Sequence, residues 1–240
     1  MHIYFIRHAQ SSNNALWNNS GGSYGRVEDP ELTDLGWRQA EKVAEFIQSQ
    51  QENFQFDQDD IQNLKGMGIT HIYSSLMTRA VSTAHCIAEK IDMPVKGWVD
   101  IHECGGIFLD DEASGMRKGL PGKTGADLAG RFPRLVLPDE LGDGGWWSRP
   151  YENLDLWIGR AQKVVERLIR IHGDSDDRIV MVSHGCFFRY FLCALLNLDS
   201  ENGAWFDMNN VAISRLEING YTKRVYYLNR VDFLPKELIT

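Results

Sequence analysis

Short apolar runs alternate with amphipathic stretches along this chain, and the alternation predicts strands separated by helices. Three apolar runs of strand length predict buried strands: His2–Ile6, Ile69–Tyr73 and Arg178–Ser183. Apolar residues spaced three and four apart predict four helices. One begins after Thr33, and the others cover Thr78–Ile91, Leu154–Ile171 and Cys186–Leu198. Such an alternation is typical of a parallel sheet with helices on both faces.

Two β-like segments near the end of the chain predict a hairpin. Ala212–Ile218 and Lys223–Asn229 flank Asn219-Gly220, a dipeptide that favours a tight turn between antiparallel strands. The 240 residues suffice for a large domain with a sizeable core. We therefore predict a single domain over residues 1–240, an α/β fold in the form of a three-layer α/β/α sandwich. Its central sheet is predicted to be mainly parallel, with an antiparallel edge strand.

Two stretches show no clear periodicity. Residues 13–34 are rich in Asn, Gly and Ser and are predicted to form a loop. Residues 104–150 hold many Gly and Pro residues and are predicted to form an irregular or helical cap inserted into the domain, with Trp146 and Trp147 packed in it. Long irregular segments are often lids, so this cap is expected to cover the site and select the substrate. The basic residues in the cap that are expected to contact the substrate are Arg117, Lys118 and Lys123.

Composition and charge exclude several classes of partner. The formal net charge of −8 argues against a nucleic-acid surface. No apolar run approaches the length of about 20 residues that crosses a bilayer, and the first residues carry no signal-peptide pattern. The four cysteines form no Cys-x-x-Cys pair and are expected to be thiols: Cys86, Cys104, Cys186 and Cys193. We therefore expect a cytoplasmic protein that contacts neither membrane nor nucleic acid, and the sequence leaves its oligomeric state open.

Ionisable side chains follow the ends of the three predicted parallel strands. The first strand leads into Arg7 and His8. Arg79 follows the second strand, and His184 follows the third. Because the carboxyl ends of parallel strands lie at one edge of a sheet, these side chains are expected to converge on one crevice. Guanidinium groups stay charged and their planar fork suits phosphate oxygens, so the crevice is predicted to bind phosphate. Glu103 is a further candidate for the same crevice.

The order and spacing of these residues resemble those of the histidine phosphatase superfamily, also called the phosphoglycerate mutase-like family. The resemblance covers nearly the whole chain outside residues 104–150. The matching stretches are Arg7-His8-Ala9-Gln10-Ser11-Ser12-Asn13-Asn14, Leu32-Thr33-Asp34-Leu35-Gly36 with Gln39-Ala40, Tyr73-Ser74-Ser75-Leu76-Met77-Thr78-Arg79-Ala80, Glu103, and Val182-Ser183-His184-Gly185. The chain departs from the family at Ala9, where glycine is usual, and at Gln10, where glutamate is frequent. Neither departure removes a catalytic group.

The resemblance implies a role for each matching residue. His8 matches the family's nucleophile, which forms a covalent phosphohistidine. Arg7, Arg79 and His184 match the groups that hold the phosphoryl group. Glu103 matches the acid that protonates the leaving oxygen. The remaining positions that match substrate-binding positions of the family are Asn14, Gln10 and the Gly185 backbone. The neighbouring acidic residues that stay open as alternatives to Glu103 are Asp100, Asp110, Asp111 and Glu112.

The implied activity is hydrolysis of a small organic phosphate monoester without a cofactor. Arg7, Arg79 and a protonated His184 would supply the positive charge that the phosphoryl group needs, so no metal is required. A mutase that returns the phosphoryl group to its substrate and a non-catalytic module that binds a phosphorylated ligand are the alternatives. Family mutases carry a tyrosine-glycine and asparagine-lysine pattern after the acid, which residues 104–108 lack. The histidines expected to be structural or on the surface are His2, His71, His85 and His172.

Overall fold

The computed structural model describes residues 1–111, 114–139, 141–201 and 203–240. Its strands are β1 (His2–Arg7), β2 (His71–Ser74), β3 (Val95–Gly97), β4 (Phe108–Asp110), β5 (Arg117–Gly119), β6 (Leu135–Val136), β7 (Arg178–Ser183), β8 (Ile213–Asn219) and β9 (Thr222–Arg230). Its helices are α1 (Ser12–Ser20), α2 (Asp34–Glu52), α3 (Thr78–Ile91), α4 (Gly125–Arg131), α5 (Leu154–His172) and α6 (Gly185–Leu196), with 3₁₀ turns at Val99–Ile101 and Lys236–Leu238.

The central sheet has the strand order β6-β3-β2-β7-β1-β8-β9. The first five strands are parallel, and β8 and β9 complete the sheet as antiparallel neighbours. The predicted mainly parallel sheet with an antiparallel edge is confirmed. The predicted turn is displaced by one residue, because Asn219 pairs with Thr222 and leaves Gly220 and Tyr221 as the two turn residues. Gly220 supplies the positive φ of 55° that the turn requires.

Alternate side chains of β1 belong to two different cores. Tyr4 and Ile6 lie in the core that α2 and α3 cover, whereas Ile3 and Phe5 lie in the core that α5 and α6 cover. All four side chains are fully buried. Burial on both faces explains why a central parallel strand is a continuous apolar run rather than an alternating one. The predicted three layers are therefore confirmed.

The prediction of a loop over residues 13–34 is wrong at its start, which forms α1. Ser11 caps this helix, since its hydroxyl accepts from the Asn14 amide at 3.3 Å. In return, the Asn14 carboxamide oxygen accepts from the Ser11 amide at 3.1 Å. No residue of α1 is buried. Because the helix buries no apolar face, its sequence lacks the hydrophobic period that reveals the other helices, and the capping pair is its main signal.

Residues 104–150 are more regular than predicted. Strands β4 and β5 form an antiparallel hairpin, and α4 follows them. Strand β6 then pairs with β3 at the edge of the central sheet, with Leu135 opposite Val95. The segment is therefore partly a strand of the domain itself and only partly an addition to it. Of the acidic residues in this segment, Glu112 and Glu140 lie outside the described residues.

Two buried tryptophans, Trp146 and Trp147, pack within this segment. Trp146 and Trp147 are 4% and 3% exposed, which confirms their predicted packing. A Cβ atom at Gly106 would lie 2.1 Å from the Trp147 ring, and Gly106 has a positive φ of 76°. Only glycine fits this close approach. The indole therefore lies directly on the turn that follows Glu103.

Across the described ranges, no helix combines the length and the apolar character needed to cross a bilayer. The thiols predicted from the cysteine spacing are confirmed as free. Cys104 and Cys193 are buried, and Cys86 and Cys186 are half-buried.

Candidate active site

The carboxyl ends of β1, β2 and β7 are level with one another and open into one crevice. Arg7 pairs with Ser183, and Ser74 pairs with Val182, so the three strands end at the same height. The crevice has a volume of about 350 Å³. The predicted site residues that line it are Arg7, His8, Asn14, Arg79 and Glu103. The convergence expected from the strand ends is present for Arg7, His8 and Arg79, whereas His184 does not line the crevice.

One nitrogen of the His8 imidazole is fixed by a hydrogen bond to the backbone, and the other lies beside Arg79. Its Nδ1 lies 2.7 Å from the Ala9 carbonyl oxygen, which can only accept, so Nδ1 donates and Nε2 carries the lone pair. Nε2 accepts from Nε of Arg79 at 3.1 Å. Burial, Arg79 and Arg7 hold the pKa of His8 well below its usual value. The ring is therefore neutral at physiological pH, with its lone pair on Nε2.

Arg7 and Arg79 form a buried cationic pair beside this nitrogen. Among the described residues, no carboxylate lies within ion-pair distance of either guanidinium. Burial lowers the pKa of both side chains. Arg7 donates through Nη1 to the Met208 carbonyl oxygen, whereas its Nε has no hydrogen-bond partner in the described part of the chain. Two buried guanidinium groups without a carboxylate partner form a site for an anion.

His184 and Gly185 lie next to these groups. The His184 ring centroid is 5.0 Å from that of His8, and its Nε2 lies 2.9 Å from the Ser75 hydroxyl oxygen. Burial and Arg79 hold the pKa of His184 well below its usual value. A Cβ atom at Gly185 would lie 3.5 Å from Nε of Arg7, which places this backbone beside the cationic pair.

The Glu103 carboxylate lies at the N-terminus of α6. Its Oε1 accepts from the amides of Cys104 and Phe187, each at 2.9 Å, and its Oε2 accepts from the Cys186 amide at 3.4 Å. Backbone amides at a helix N-terminus fix an anionic side chain in place. Of its alternatives among the described residues, Asp100, Asp110 and Asp111, none lines the crevice; Glu112 lies outside the described residues.

The structure places Gln10 behind the crevice rather than in it. Its side-chain oxygen accepts from the Thr33 hydroxyl at 2.7 Å. Its backbone amide donates to Oε1 of Gln39 at 2.8 Å. A Cβ atom at Gly36 would lie 2.0 Å from the Gln10 carbonyl oxygen, so α2 packs directly against the chain that follows His8. The matching stretch around Gly36 therefore positions the candidate nucleophile from behind.

Two positioning residues were not found from the sequence. Asn210 donates through Nδ2 to the His8 carbonyl oxygen at 2.9 Å. Asp29 accepts from the Thr78 amide at 3.0 Å and from its hydroxyl at 2.6 Å, which caps the helix that carries Arg79. Burial raises the pKa of Asp29. Each partner is distant in the sequence, so local spacing carries no signal for either contact.

A third residue missed by the sequence analysis, Arg26, faces the crevice itself. Its guanidinium lies 4.0 Å from the centroid of the Phe108 ring. Burial lowers the pKa of Arg26, and the charge of Asp110 is the main influence that opposes this shift. Asp110 itself forms an ion pair with Arg117 at 3.6 Å. The basic residues of the cap expected to contact the substrate, Arg117, Lys118 and Lys123, do not line the crevice.

Comparison with known proteins gives the family. A model of the histidine phosphatase superfamily (branch 1) matches residues 3–57 and 61–231 of the chain. The chain therefore belongs to the histidine phosphatase superfamily. This result agrees with the sequence resemblance and with the fold.

Some of the similar proteins are named as phosphatases and others as mutases. A probable phosphatase of Schizosaccharomyces pombe is 27% identical over 195 residues, which are 80% of this chain and 55% of that protein. A probable phosphoglycerate mutase of Cronobacter sakazakii is 25% identical over 228 residues, 90% of this chain and 85% of that protein. The crystal structure of Entamoeba histolytica phosphoserine phosphatase in complex with 3-phosphoglyceric acid has the same fold, with a TM-score of 0.59 and 21% identity over 98% of this chain and 99% of that one.

Proposed function

We propose that this protein is a metal-independent phosphatase that hydrolyses a small organic phosphate monoester through a phosphohistidine on His8. The observation that carries the proposal is the state of the His8 ring. Its Nδ1 donates to a backbone carbonyl, and its neutral Nε2 lies beside two buried arginines without carboxylate partners. A neutral imidazole nitrogen held next to an anion site is arranged for attack on phosphorus.

In the first step, the phosphate of the ester binds between Arg7 and Arg79. The donor of Arg79 that contacts Nε2 turns to a phosphoryl oxygen and frees the lone pair. Nε2 then attacks phosphorus, a P–N bond forms and the bond from phosphorus to the ester oxygen breaks. Glu103 takes up a proton from the bound ester monoanion and donates it to that oxygen, and the alcohol leaves. The hydrogen bond from Nδ1 to the Ala9 carbonyl stabilises the positive charge on the ring.

In the second step, the Glu103 carboxylate accepts a proton from a water molecule. The water oxygen attacks phosphorus, the P–N bond breaks, and its electron pair returns to Nε2. Inorganic phosphate leaves, and both His8 and Glu103 regain their first protonation states. His184 takes a proton when the phosphate dianion binds, because a neighbouring negative charge raises the pKa of an imidazole.

The remainder of the substrate is proposed to carry a second anionic group. Arg26 supports this, since it lines the crevice and Asp110, the carboxylate whose charge acts on it most, forms an ion pair with Arg117. Phosphoserine phosphatase of Entamoeba histolytica binds 3-phosphoglyceric acid, a phosphate ester with a carboxylate. The mutase and the non-catalytic module are the alternatives, and residues 104–108, which lack the mutase pattern, favour hydrolysis.

The test of this proposal is a trapped intermediate. The protein is mixed with an excess of ³²P-labelled 3-phosphoglycerate, quenched in alkali, and digested to locate acid-labile label. We expect label on His8, and we expect His8→Ala to lower the turnover number by at least about a thousandfold. His85→Ala serves as the matched control, because His85 lies outside the crevice.

Several outcomes would contradict the proposal. Near-normal turnover in His8→Ala would show that His8 is not the nucleophile. Label recovered as a second phosphate ester rather than as inorganic phosphate would identify a mutase. Tight binding of the ester without label or phosphate release would identify the non-catalytic module.

A further inference from the structure

Two thiols lie against the Glu103 carboxylate in the wall of the crevice. The sulfur atoms of Cys104 and Cys186 and one carboxylate oxygen of Glu103 all lie within 4.8 Å of one another. All three residues line the crevice. Cys186 comes from the first turn of α6, so two distant parts of the chain bring the three groups together.

We propose that Glu103, Cys104 and Cys186 form a binding site for a thiophilic divalent cation, of which Zn²⁺ is the representative, and that the bound cation inhibits the enzyme. Two thiolates and a carboxylate are a ligand set that zinc accepts, with a fourth position open to water. In a tetrahedral site the ligand atoms lie about 2.0–2.3 Å from the metal and so roughly 3–4 Å apart. The three groups, already within 4.8 Å of one another, therefore need to approach by no more than about 1–2 Å to bind the metal.

The carboxylate has an acceptor site available for a metal. Oε1 accepts two amides at 2.9 Å, whereas Oε2 accepts one long contact at 3.4 Å. A carboxylate oxygen has two lone pairs, so Oε2 can bind a cation while Oε1 keeps the side chain in place. The amide contacts thus orient one ligand in advance.

The charges around the three ligands balance a bound cation. Two thiolates and one carboxylate carry three negative charges, so a complex with Zn²⁺ keeps one negative charge beside Arg7 and Arg79. The metal displaces the thiol protons of Cys104 and Cys186 when it binds.

A second cluster contains side chains of types that bind metals, but both ring nitrogens of its buried histidine already form hydrogen bonds. His71, His172 and Asp177 also bring their polar atoms within 4.8 Å of one another. His172 uses both ring nitrogens, one toward Asp177 at 2.8 Å and one toward the Tyr73 hydroxyl at 3.0 Å. This cluster is a satisfied hydrogen-bond network, as expected of structural histidines.

Inhibition follows from the position of Glu103, and this consequence rests on the proposed function. A cation on the carboxylate prevents it from donating a proton to the leaving oxygen and from accepting one from water. The same enzyme that needs no metal for turnover is therefore expected to lose activity when zinc binds. A chelator should restore that activity.

The site itself is tested by spectroscopic titration with Co²⁺, which substitutes for zinc, in the presence of a phosphine reductant. We expect a thiolate-to-cobalt charge-transfer band, with visible bands of tetrahedral intensity, that saturates at one equivalent. Cys186→Ser and, as a second variant, Cys104→Ser should weaken binding at least about tenfold. Cys193→Ser is the matched control, a buried thiol of the same helix outside the crevice, and should bind as the parent does.

Inhibition is tested by measuring each variant against its own metal-free rate. Zinc should inhibit the parent protein and Cys193→Ser at concentrations at which Cys186→Ser stays active. Absence of the charge-transfer band, or equal binding in all variants, would overturn the site. Equal zinc inhibition of the parent and Cys186→Ser would place the inhibitor elsewhere and overturn the proposal. If the protein hydrolyses no ester, the proposed function fails, but the cobalt titration still decides whether the site exists.

Discussion

At the scale of the residue, the neutrality of His8 is a consequence of its neighbours. Two guanidinium groups and complete burial make the imidazolium form unfavourable, and the Ala9 carbonyl directs the proton that remains to Nδ1. In the proposed mechanism, the arginines that bind phosphate thus also keep His8, the nucleophile, unprotonated before phosphate arrives. Anion binding and activation of the nucleophile would then be two effects of one arrangement.

Because these arginines already supply the positive charge, phosphate release should need no divalent metal. Exhaustive dialysis against a chelator is expected to leave the rate of phosphate release unchanged or raised. The measurement is the initial rate before and after dialysis, with the metal content of both samples determined by mass spectrometry. Activity that vanished and returned only with added metal would contradict the mechanism.

Arg26 should determine preference for esters with a second anionic group. Arg26→Ala is expected to lower kcat/KM for 3-phosphoglycerate by about ten- to a hundredfold, since a lost charged hydrogen bond costs about 1.5–3 kcal/mol. The rate with p-nitrophenyl phosphate, which has no second anion, should change little. Arg117→Ala is the control, because Arg117 also lies near Phe108 but does not line the crevice. A larger effect of Arg117 than of Arg26 would support the cap residues favoured by the sequence instead.

The sequence was sufficient to predict the residues that follow strands and insufficient for those that come from loops. Arg7, His8 and Arg79 could be placed because parallel strands end at one edge of the sheet. Arg26 and Asp29 lie in a stretch without periodicity, and their positions depend on how that stretch folds over the crevice. Tertiary contacts of this kind have no local pattern from which to infer them.

At the scale of the element, α2 acts as the support of the chain that follows His8. The Gln10 carbonyl oxygen would lie only 2.0 Å from a Cβ atom at Gly36, and the Gln39 side chain accepts from the Gln10 amide. The cap of α2 is the Thr33 hydroxyl, which accepts from the Gly36 amide at 3.0 Å, as its sequence predicts. The helix start and the candidate nucleophile are thus in direct contact.

Gly36→Ala should therefore harm both stability and catalysis. The added methyl group pushes the Gln10 backbone away, which is expected to cost about 1–3 kcal/mol of unfolding free energy. A shift of about 1 Å in the position of His8 is expected to lower kcat by about a hundredfold. Gly159→Ala in α5 is the control, since nothing lies within 4 Å of its added Cβ and alanine is the better helix former. Urea denaturation and steady-state rates give the two readouts; equal behaviour of the two variants would refute the supporting role.

Elements with a buried face were predicted well, and elements without one were not. Helix α3 and strand β7 occur with the predicted bounds, because their buried residues set a clear period. Helix α1 buries no residue, and β6 is only two residues long. Such elements depend on caps and on pairing with a distant strand, neither of which appears in the hydrophobic pattern.

At the scale of the whole molecule, three buried histidines make the fold sensitive to acid. His8, His102 and His184 each have a pKa well below the usual value because burial disfavours the charged ring. In the unfolded chain each ring takes up a proton near its ordinary pKa of about 6.5. The unfolded state therefore binds more protons below that pH, and the free energy of unfolding falls as the pH falls.

We expect the unfolding free energy to decrease between about pH 6.5 and about pH 5, by up to about 1.4 kcal/mol per pH unit for each of the three histidines. Urea denaturation at a series of pH values measures this slope. His184→Gln keeps a polar partner for Ser75. It should reduce the slope of the unfolding free energy against pH by the contribution of one histidine. A stability that stays level across this interval would show that the three rings are already protonated in the folded state.

The place of β1 in the sheet also bears on how the protein is made. His2 pairs with Arg178 on one side and with Glu217 on the other, so both neighbours of the first strand come from the last third of the chain. At ribosomal speeds of about 5–20 residues per second, the apolar β1 therefore has neither neighbour for roughly nine to thirty-five seconds. During that interval it is an unpaired, aggregation-prone edge that chaperones are suited to shield. The synthesis of β7 and β8, and not that of His8, therefore sets the moment at which the crevice forms.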